Sequence, residues 1–210
     1  MKWRIEMPTN SRATQKEISR NRILDVAAKA IRRDGYSGVG VADVMREAGL
    51  THGGFYAHFE SREMMLAQAL DRAGDASAAA VVAHLAACRA NGDDPVAALV
   101  GIYLSDKNLA SLEAGCPVAA LASEMPRQSE ELRDASCRRV QGLIKLVERL
   151  LPTGGAAAAA VLASTMVGAL QLARTLGNNA KGKAHLASVR KALIAQYAHF
   201  DEAASGKTKS

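Results

Sequence analysis

Residues 41–59 read VADVMREAGLTHGGFYAHF, and how they are read decides the fold. Val44 and Ala48 stand four apart, the spacing of one helix face, which predicts a helix over about Val41 to Ala48. Gly49 closes it, because glycine enters left-handed backbone without a Cβ penalty. Thr51 offers a hydroxyl to the free N–H groups of a following turn, which predicts a short helix over about His52 to His58 with Thr51 as its cap. Phe55 and Phe59, again four apart, can turn inward together. His52, Gly53, Tyr56 and Ala57 are then left facing out. A purely aromatic core cluster would account for Phe55 and Phe59 but not for Tyr56 and His58, which cannot share that buried face.

Upstream, Ile18, Ile23, Ala27 and Ile31, joined by Leu24, Val26 and Ala30, mark an amphipathic helix from Lys16 to Asp34, with Gly35 suited to end it. The residues before it, with Pro8, Thr9, Asn10 and Ser11, are expected to form a mobile arm over 1–14. Downstream, Ser61 caps a long helix over about Arg62 to Arg89, with Glu63 at the positive end of its dipole. Two short helices joined by a tight turn and braced by a longer one make a helix-turn-helix unit, placed at 15–60. Such a unit lays its second helix in the major groove of DNA, where the first side chains meet base edges and the flanks meet phosphates.

The remainder also reads as helical, rich in Ala, Leu, Glu, Arg and Lys and without β-branched alternation between turns. Asp94 before Pro95 starts a helix running to about Ser105. A linker with Gly115, Cys116 and Pro117 leads to a short helix over about Val118 to Met125, stopped by Pro126. Gln128 to Leu151, Ala156 to Leu176 and His185 to Phe200 follow, the last with one apolar stripe of Leu186, Val189, Leu193, Tyr197 and Phe200. The helix over 156–176 is apolar nearly all round, so it needs cover on more than one side; a second copy of the chain, pairing through 156–176 and 185–200, is the natural cover. The expected fold is therefore all-α with about nine helices: the helix-turn-helix head, a helical bundle over 61–202 for ligand binding and dimerisation, and a disordered tail over 203–210.

The charge balance agrees with a nucleic-acid partner. The chain carries 27 Lys and Arg against 21 Asp and Glu, and 11 against 7 of these fall in residues 1–62, so most of the excess lies where phosphate would be met. Cys88, Cys116 and Cys137 have no CxxC or Cys/His spacing, which argues against a zinc site or a disulfide framework and fits a reducing cytoplasm. No signal-peptide pattern opens the chain, and the apolar run at Gly154 to Gly168 reads as a packing helix, not a membrane span. Histidines 52, 58, 84, 185 and 199 are scattered, and no GxSxG, HExxH or phosphate-cradling glycine loop occurs, so neither an enzyme nor a cofactor is expected. An interaction protein that keeps the scaffold without binding DNA is the other alternative, and Tyr56, His58 and Arg62 speak against it.

The run Ile23-Leu24, Ala27-Ala28, Gly35-Tyr36, Val41, Asp43-Val44, Ala48-Gly49-Leu50-Thr51, Gly53, Phe55-Tyr56, His58-Phe59, Ser61-Arg62-Glu63 and Leu66 resembles the N-terminal signature of the TetR/AcrR family of transcriptional regulators, over about a quarter of the chain. The resemblance implies a homodimer on double-stranded operator DNA, a small-molecule pocket among the middle helices, and an interface between copies formed by the last two helices. It places Thr51, Tyr56, His58 and Arg62 at phosphate-contacting positions, and Ala42, His52, Gly53 and Ala57 where bases are met. Arg12, Lys16, Arg20 and Arg22 are further candidates for backbone charge. The sequence departs from the family where His52 stands for a common basic residue and where Val39 and Gly40 stand for common hydroxyl residues. Gly and Ala donate no side-chain hydrogen bonds to bases, so specificity falls to His52, Tyr56, thymine-methyl contacts and DNA shape.

A ligand-responsive repressor, released by a small apolar or electrophilic inducer, is the function this implies, with an activator on the same scaffold as an alternative. Leu99, Tyr103, Leu121, Met125, Val140, Ile144 and Met166 are the candidate pocket residues, most of them equally suited to core packing. Cys116 joins them with a sharper chemistry. It precedes Pro117 at a helix start, where the dipole would favour a thiolate, and its Gly-Cys turn is similar to that of family members that sense electrophiles or oxidants through one cysteine. Thiol-based sensing through Cys116 is thus a second alternative.

Overall fold

The computed structural model describes residues 11–151 and 155–198. The expected tail over 203–210, the first ten residues of the expected arm, and Phe200 lie outside the described residues. Among those described there are nine α-helices, two 3₁₀ segments and no strand. The helices are α1 (Ser11–Gly38), α2 (Val41–Glu47), α3 (Arg62–Ala90), α4 (Pro95–Tyr103), α5 (Asp106–Ala110), α6 (Pro117–Leu121), α7 (Glu130–Glu148), α8 (Ala156–Leu176) and α9 (Ala180–Ala198); the 3₁₀ segments are His52–Ala57 and Met125–Arg127.

Helix α1 begins at Ser11, so the last residues of the expected arm are helical, and its regular part stops where Gly35 takes φ 72° and ψ 176°. The apolar face read from the sequence is the buried one: Ile23, Ala27 and Ile31 are fully buried against α3. Ile18, counted on that stripe, is instead exposed.

Local signals fixed most boundaries. Ser61 Oγ accepts from the Met64 N–H at 2.9 Å and opens α3. Asp94 Oδ1 accepts from the Ala97 N–H at 2.6 Å and opens α4, with Pro95 next in the chain. The α4 helix ends at Tyr103, two residues before the expected Ser105, because Ser105 caps the short α5, which the sequence reading had placed in a linker. The expected helix over Val118 to Met125 is instead the five-residue α6 followed by a 3₁₀ turn that contains Pro126. Helix α7 is shorter at both ends than Gln128 to Leu151, and α9 starts at Ala180, five residues before His185, because Asn179 Oδ1 accepts from the N–H of Lys181 and Gly182.

Helices α3, α4, α6, α7, α8 and α9 share one core, with Leu66, Leu70, Leu99, Leu162, Met166, Leu170 and Leu186 fully buried in it. Helix α8 is long and apolar enough to cross a membrane by length and composition. Its face of Ala159, Leu162, Ala163, Met166, Ala169, Leu170 and Ala173 is instead buried against α6, α7 and α9. Val161, Leu172 and Leu176 on its other side remain uncovered.

Candidate DNA-reading head and ligand cavity

The turn between α2 and the following segment is a glycine-closed helix end. Gly49, at φ +70°, donates to the Arg46 carbonyl at 3.0 Å, and Leu50 donates to the Met45 carbonyl at 2.8 Å. These are the paired bonds of a Schellman motif, which satisfy carbonyls that the helix end would leave open. The chain then forms a 3₁₀ segment over His52–Ala57 in place of the expected α-helix, and the Thr51 side chain makes no cap bond. Two adjacent glycines, each about 1 kcal/mol worse than alanine in a helix, leave the segment without the propensity for a full α-turn. Its backbone carbonyl at Thr51 accepts from Gly54 instead, at 3.0 Å.

Phe55 and Phe59 stack inside the head with ring centroids 5.6 Å apart, and both are buried. Tyr56 meets Phe55 edge-on at 5.2 Å yet is 75% exposed. Ala42, Thr51, His52, Gly53 and Ala57 are exposed as well, and a side chain added at Gly53 would meet open space. The inward pair and the outward set therefore divide as their spacing predicts.

Three expected contact residues are used differently. Arg62, assigned to phosphate, turns its guanidinium inward: Nε donates to the Val39 carbonyl at 3.0 Å and an Nη to the Tyr36 carbonyl, bracing the corner between α1 and α2. Arg20 lies over the Phe59 ring at 5.0 Å and donates to Gln68, and Arg22 donates to the Ala48 carbonyl at 3.4 Å. His58 is half-buried with Nδ1 unpartnered. Burial first, then the charges of Lys16 and Arg20, push its pKa below the ordinary histidine value. Val39 is buried, so a hydroxyl at that position would not face solvent in this chain.

Beyond the head, α3 carries the surface of Gly74 to Val82 past two cavities, one of 310 Å³ against α7 and one of 350 Å³ against α1, α4 and α5. Tyr103 and Cys116 line both. Of the other expected pocket residues, Leu99, Leu121, Met125 and Met166 are buried core, and Val140 and Ile144 pack partly buried against it. The sequence reading missed Ser77 and Val81, which also line both cavities. Cys116 precedes a helix of only five residues, shorter than the expected Val118 to Met125, so the dipole that was to act on it is weaker. Its surroundings supply cations instead, as Arg32 and Arg174 both interact with it electrostatically.

A latch ties this region to the head. Glu124, between α6 and α7, accepts from the Tyr36 N–H at 3.0 Å, and the buried Tyr36 hydroxyl lies 3.5 Å from Ser136 Oγ on α7. A Cβ at Gly35 would fall on the Glu124 carboxylate, so glycine serves both the left-handed φ and the close approach.

A braced helix-turn-helix head with an outward second segment, joined by one long helix to a bundle with two half-open cavities, defines a DNA-binding regulator with a sensing domain. Residues 23–69 match the profile of bacterial regulatory proteins, tetR family. The chain is 28% identical over 154 residues to the HTH-type transcriptional regulator LmrA of Bacillus subtilis, covering 72% of this chain and 81% of that one. It is 24% identical over 136 residues to the HTH-type transcriptional repressor NemR of Escherichia coli K12, covering 65% and 68%. In fold it is similar to a TetR transcriptional regulator from Chloroflexus aurantiacus, with a TM-score of 0.70, 24% identity and 87% and 97% of the two chains covered. It is likewise similar to reduced NemR of E. coli, with a TM-score of 0.67, 20% identity and 83% and 96% covered. Residues 23–69 thus carry the signature of the family's DNA-binding head, and the chain is similar in sequence and fold to transcriptional regulators of the TetR family.

Proposed function

We propose that the protein is a dimeric, ligand-responsive repressor that binds a two-fold symmetric operator through His52, Gly53, Tyr56 and Ala57, with Ala42 and Thr51 at the flanks, and leaves it when a small molecule enters the cavities beside α3. The observation that carries this reading is the exposed Tyr56 beside the buried Phe55 and Phe59: an aromatic phenol held in the open by a packed base is of no use to the core. Its domain division follows, with a reading head over 15–60 and the sensing and dimerising bundle over 61–202. The similarity to NemR, a transcriptional repressor, supports the sign of regulation. Such a protein works in the cytoplasm, where its DNA is.

Dimerisation runs through α8 and α9 in this reading. Val161, Leu172 and Leu176 are 53%, 58% and 45% exposed on a single chain, and they fall close together on the helical wheel. Binding of the purified protein to DNA upstream of its own gene, followed by fluorescence anisotropy, tests the reading. Tyr56→Ala is expected to weaken binding about tenfold or more without changing the fold; equal binding by Tyr56→Ala and by His52→Ala would remove these residues from the interface.

Cys116 supports a second reading, as a thiol sensor, because it lines both cavities beside Tyr103 and under the charges of Arg32 and Arg174. Release of operator by quinones, aldehydes or hypochlorite that persists in Cys116→Ser would end it.

A further inference from the structure

The cavity between α1, α3, α4 and α5 contains polar groups that the chain itself leaves unsatisfied. Tyr103 is 4% exposed, and its hydroxyl has no nitrogen or oxygen partner, only the Cys116 thiol beside it. It lines the cavity beside Cys116, a weak partner at best for a phenol. Arg32, on the same wall, donates from Nη1 to the Gly115 carbonyl at 3.2 Å, while its Nε is buried without a partner. Arg174, behind the wall, donates to the carbonyls of Asn108 and Ser111 at 3.1 Å each, and its Nε is likewise buried and unpartnered. Neither guanidinium is ion-paired among the described residues, and the Glu113 carboxylate near Arg32 is held by Arg33 at 2.6 Å.

Two half-buried cations and a buried phenol around one cavity make an uncompensated positive centre. Burial lowers the affinity of both guanidiniums for their protons, and the Glu113 carboxylate near Arg32 offsets this only in part. The loop that carries the carbonyls is fixed in place: Asn108 Nδ2 donates to the Tyr103 carbonyl at 2.7 Å, and Gly115, at φ +82°, lies so close to Asn108 that no side chain would fit. The lining also has an apolar part, with Ala76, Ala80, Val81 and Ile102. A volume of 350 Å³ is at the small end for a ligand site.

We propose that this cavity binds a small monocarboxylic acid, its carboxylate accepting from the Tyr103 hydroxyl in the field of Arg32 and Arg174, and its short apolar body lying against Ala76, Ala80 and Val81. The proposal rests on the reading of the bundle as a sensing domain and names the class of molecule sensed. A carboxylate supplies the missing charge and the missing acceptor together, which a neutral apolar inducer does not. Cys116 then acts as part of the wall.

Titration calorimetry on the full-length protein tests this with hexanoate and benzoate as probes, and with hexanamide and benzamide as neutral controls of the same shape. At least one acid is expected to bind, with its amide about tenfold weaker or more, and Tyr103→Phe is expected to weaken the acid by a similar factor. Arg32→Lys, which keeps the charge, is expected to retain more affinity than Arg32→Gln. Amides binding as well as acids, Tyr103→Phe binding as the unaltered protein does, or no binding of either acid overturns the proposal. Operator binding is measured on the same samples without probe: if it holds while the acids fail, the ligand class is wrong and the regulator stands; if it fails while an acid binds at Tyr103, the cavity stands and the DNA reading falls.

Discussion

Gly49 sits at φ +70° with only the Arg22 guanidinium near the place of a Cβ, at 3.9 Å. Space is therefore not what demands glycine here; the left-handed backbone is, at a cost of about 1–2 kcal/mol for any other residue. Gly49→Ala is expected to lower unfolding stability by about that amount in chemical denaturation. Arg62 poses a different question, since a phosphate contact and a backbone brace both use a cation. Its bonds to Val39 and Tyr36 require the planar fork of a guanidinium, so Arg62→Lys, which keeps the charge, is expected to destabilise by about 1.5 kcal/mol. A stability equal to that of the unaltered protein would return Arg62 to a contact role alone. His58 has its folded pKa pushed down by burial and by the charges of Lys16 and Arg20, so the unfolded chain takes up the proton first. Stability is expected to be unaffected by this group above the ordinary histidine range and to fall as pH drops from about 6.5 toward the lowered value. His58→Gln should flatten that part of the profile of melting temperature against pH.

At the scale of elements, the 3₁₀ segment His52–Ala57 works as a platform whose inner face is Phe55 and whose outer face is Tyr56. Substituting the two neighbours should therefore separate stability from binding. Phe55→Ala is expected to cost about 3–5 kcal/mol in unfolding, while Tyr56→Ala changes unfolding little and DNA affinity most. The helix boundaries show which signals a sequence carries. Asp94, Ser61 and Gly49 act within four residues of themselves, so the elements they bound were legible. Helix α5 was not, because its cap, Ser105, falls only two residues after the end of α4. Nor was the start of α9, five residues ahead of the expected His185; Gly182 in its first turn is buried at the corner, and a Cβ there would strike the Gly177 carbonyl. The inward turn of Arg62 was hidden because its acceptors are backbone carbonyls 23 and 26 residues back in the chain. Apolar composition marked Leu99 and Met166 as interior but could not separate them, as packed core, from Tyr103 and Cys116, which of the same candidate set line the voids.

Across the whole molecule, α3 is the mechanical link. It starts just after the reading segment at Arg62 and reaches the cavities at Gly74 to Val82, roughly 18 to 30 Å further along at 1.5 Å per residue. The Glu124 carboxylate on the Tyr36 N–H provides a second link, from the end of α6 to the corner of the head. A ligand shifts the position of the head only if the cavity differs between the bound and free states, and both links pass from cavity wall to head. Pairing of two chains sets the distance between two heads, and the exposed side of α8 is the surface proposed for it. Leu172→Glu is expected to convert the dimer to monomer by light scattering, with melting changed far less than by a core substitution, since Leu172 is 58% exposed in the single chain. A Leu172→Glu protein that remains dimeric would move the interface elsewhere. The most direct measurement of the central claim is retention of fragmented DNA from the source genome by the purified protein at near-physiological salt, followed by sequencing of what is held. Enrichment of a short two-fold symmetric site, lost in Tyr56→Ala, is the predicted result; no enriched site, together with no salt-sensitive binding at lower ionic strength, would contradict it.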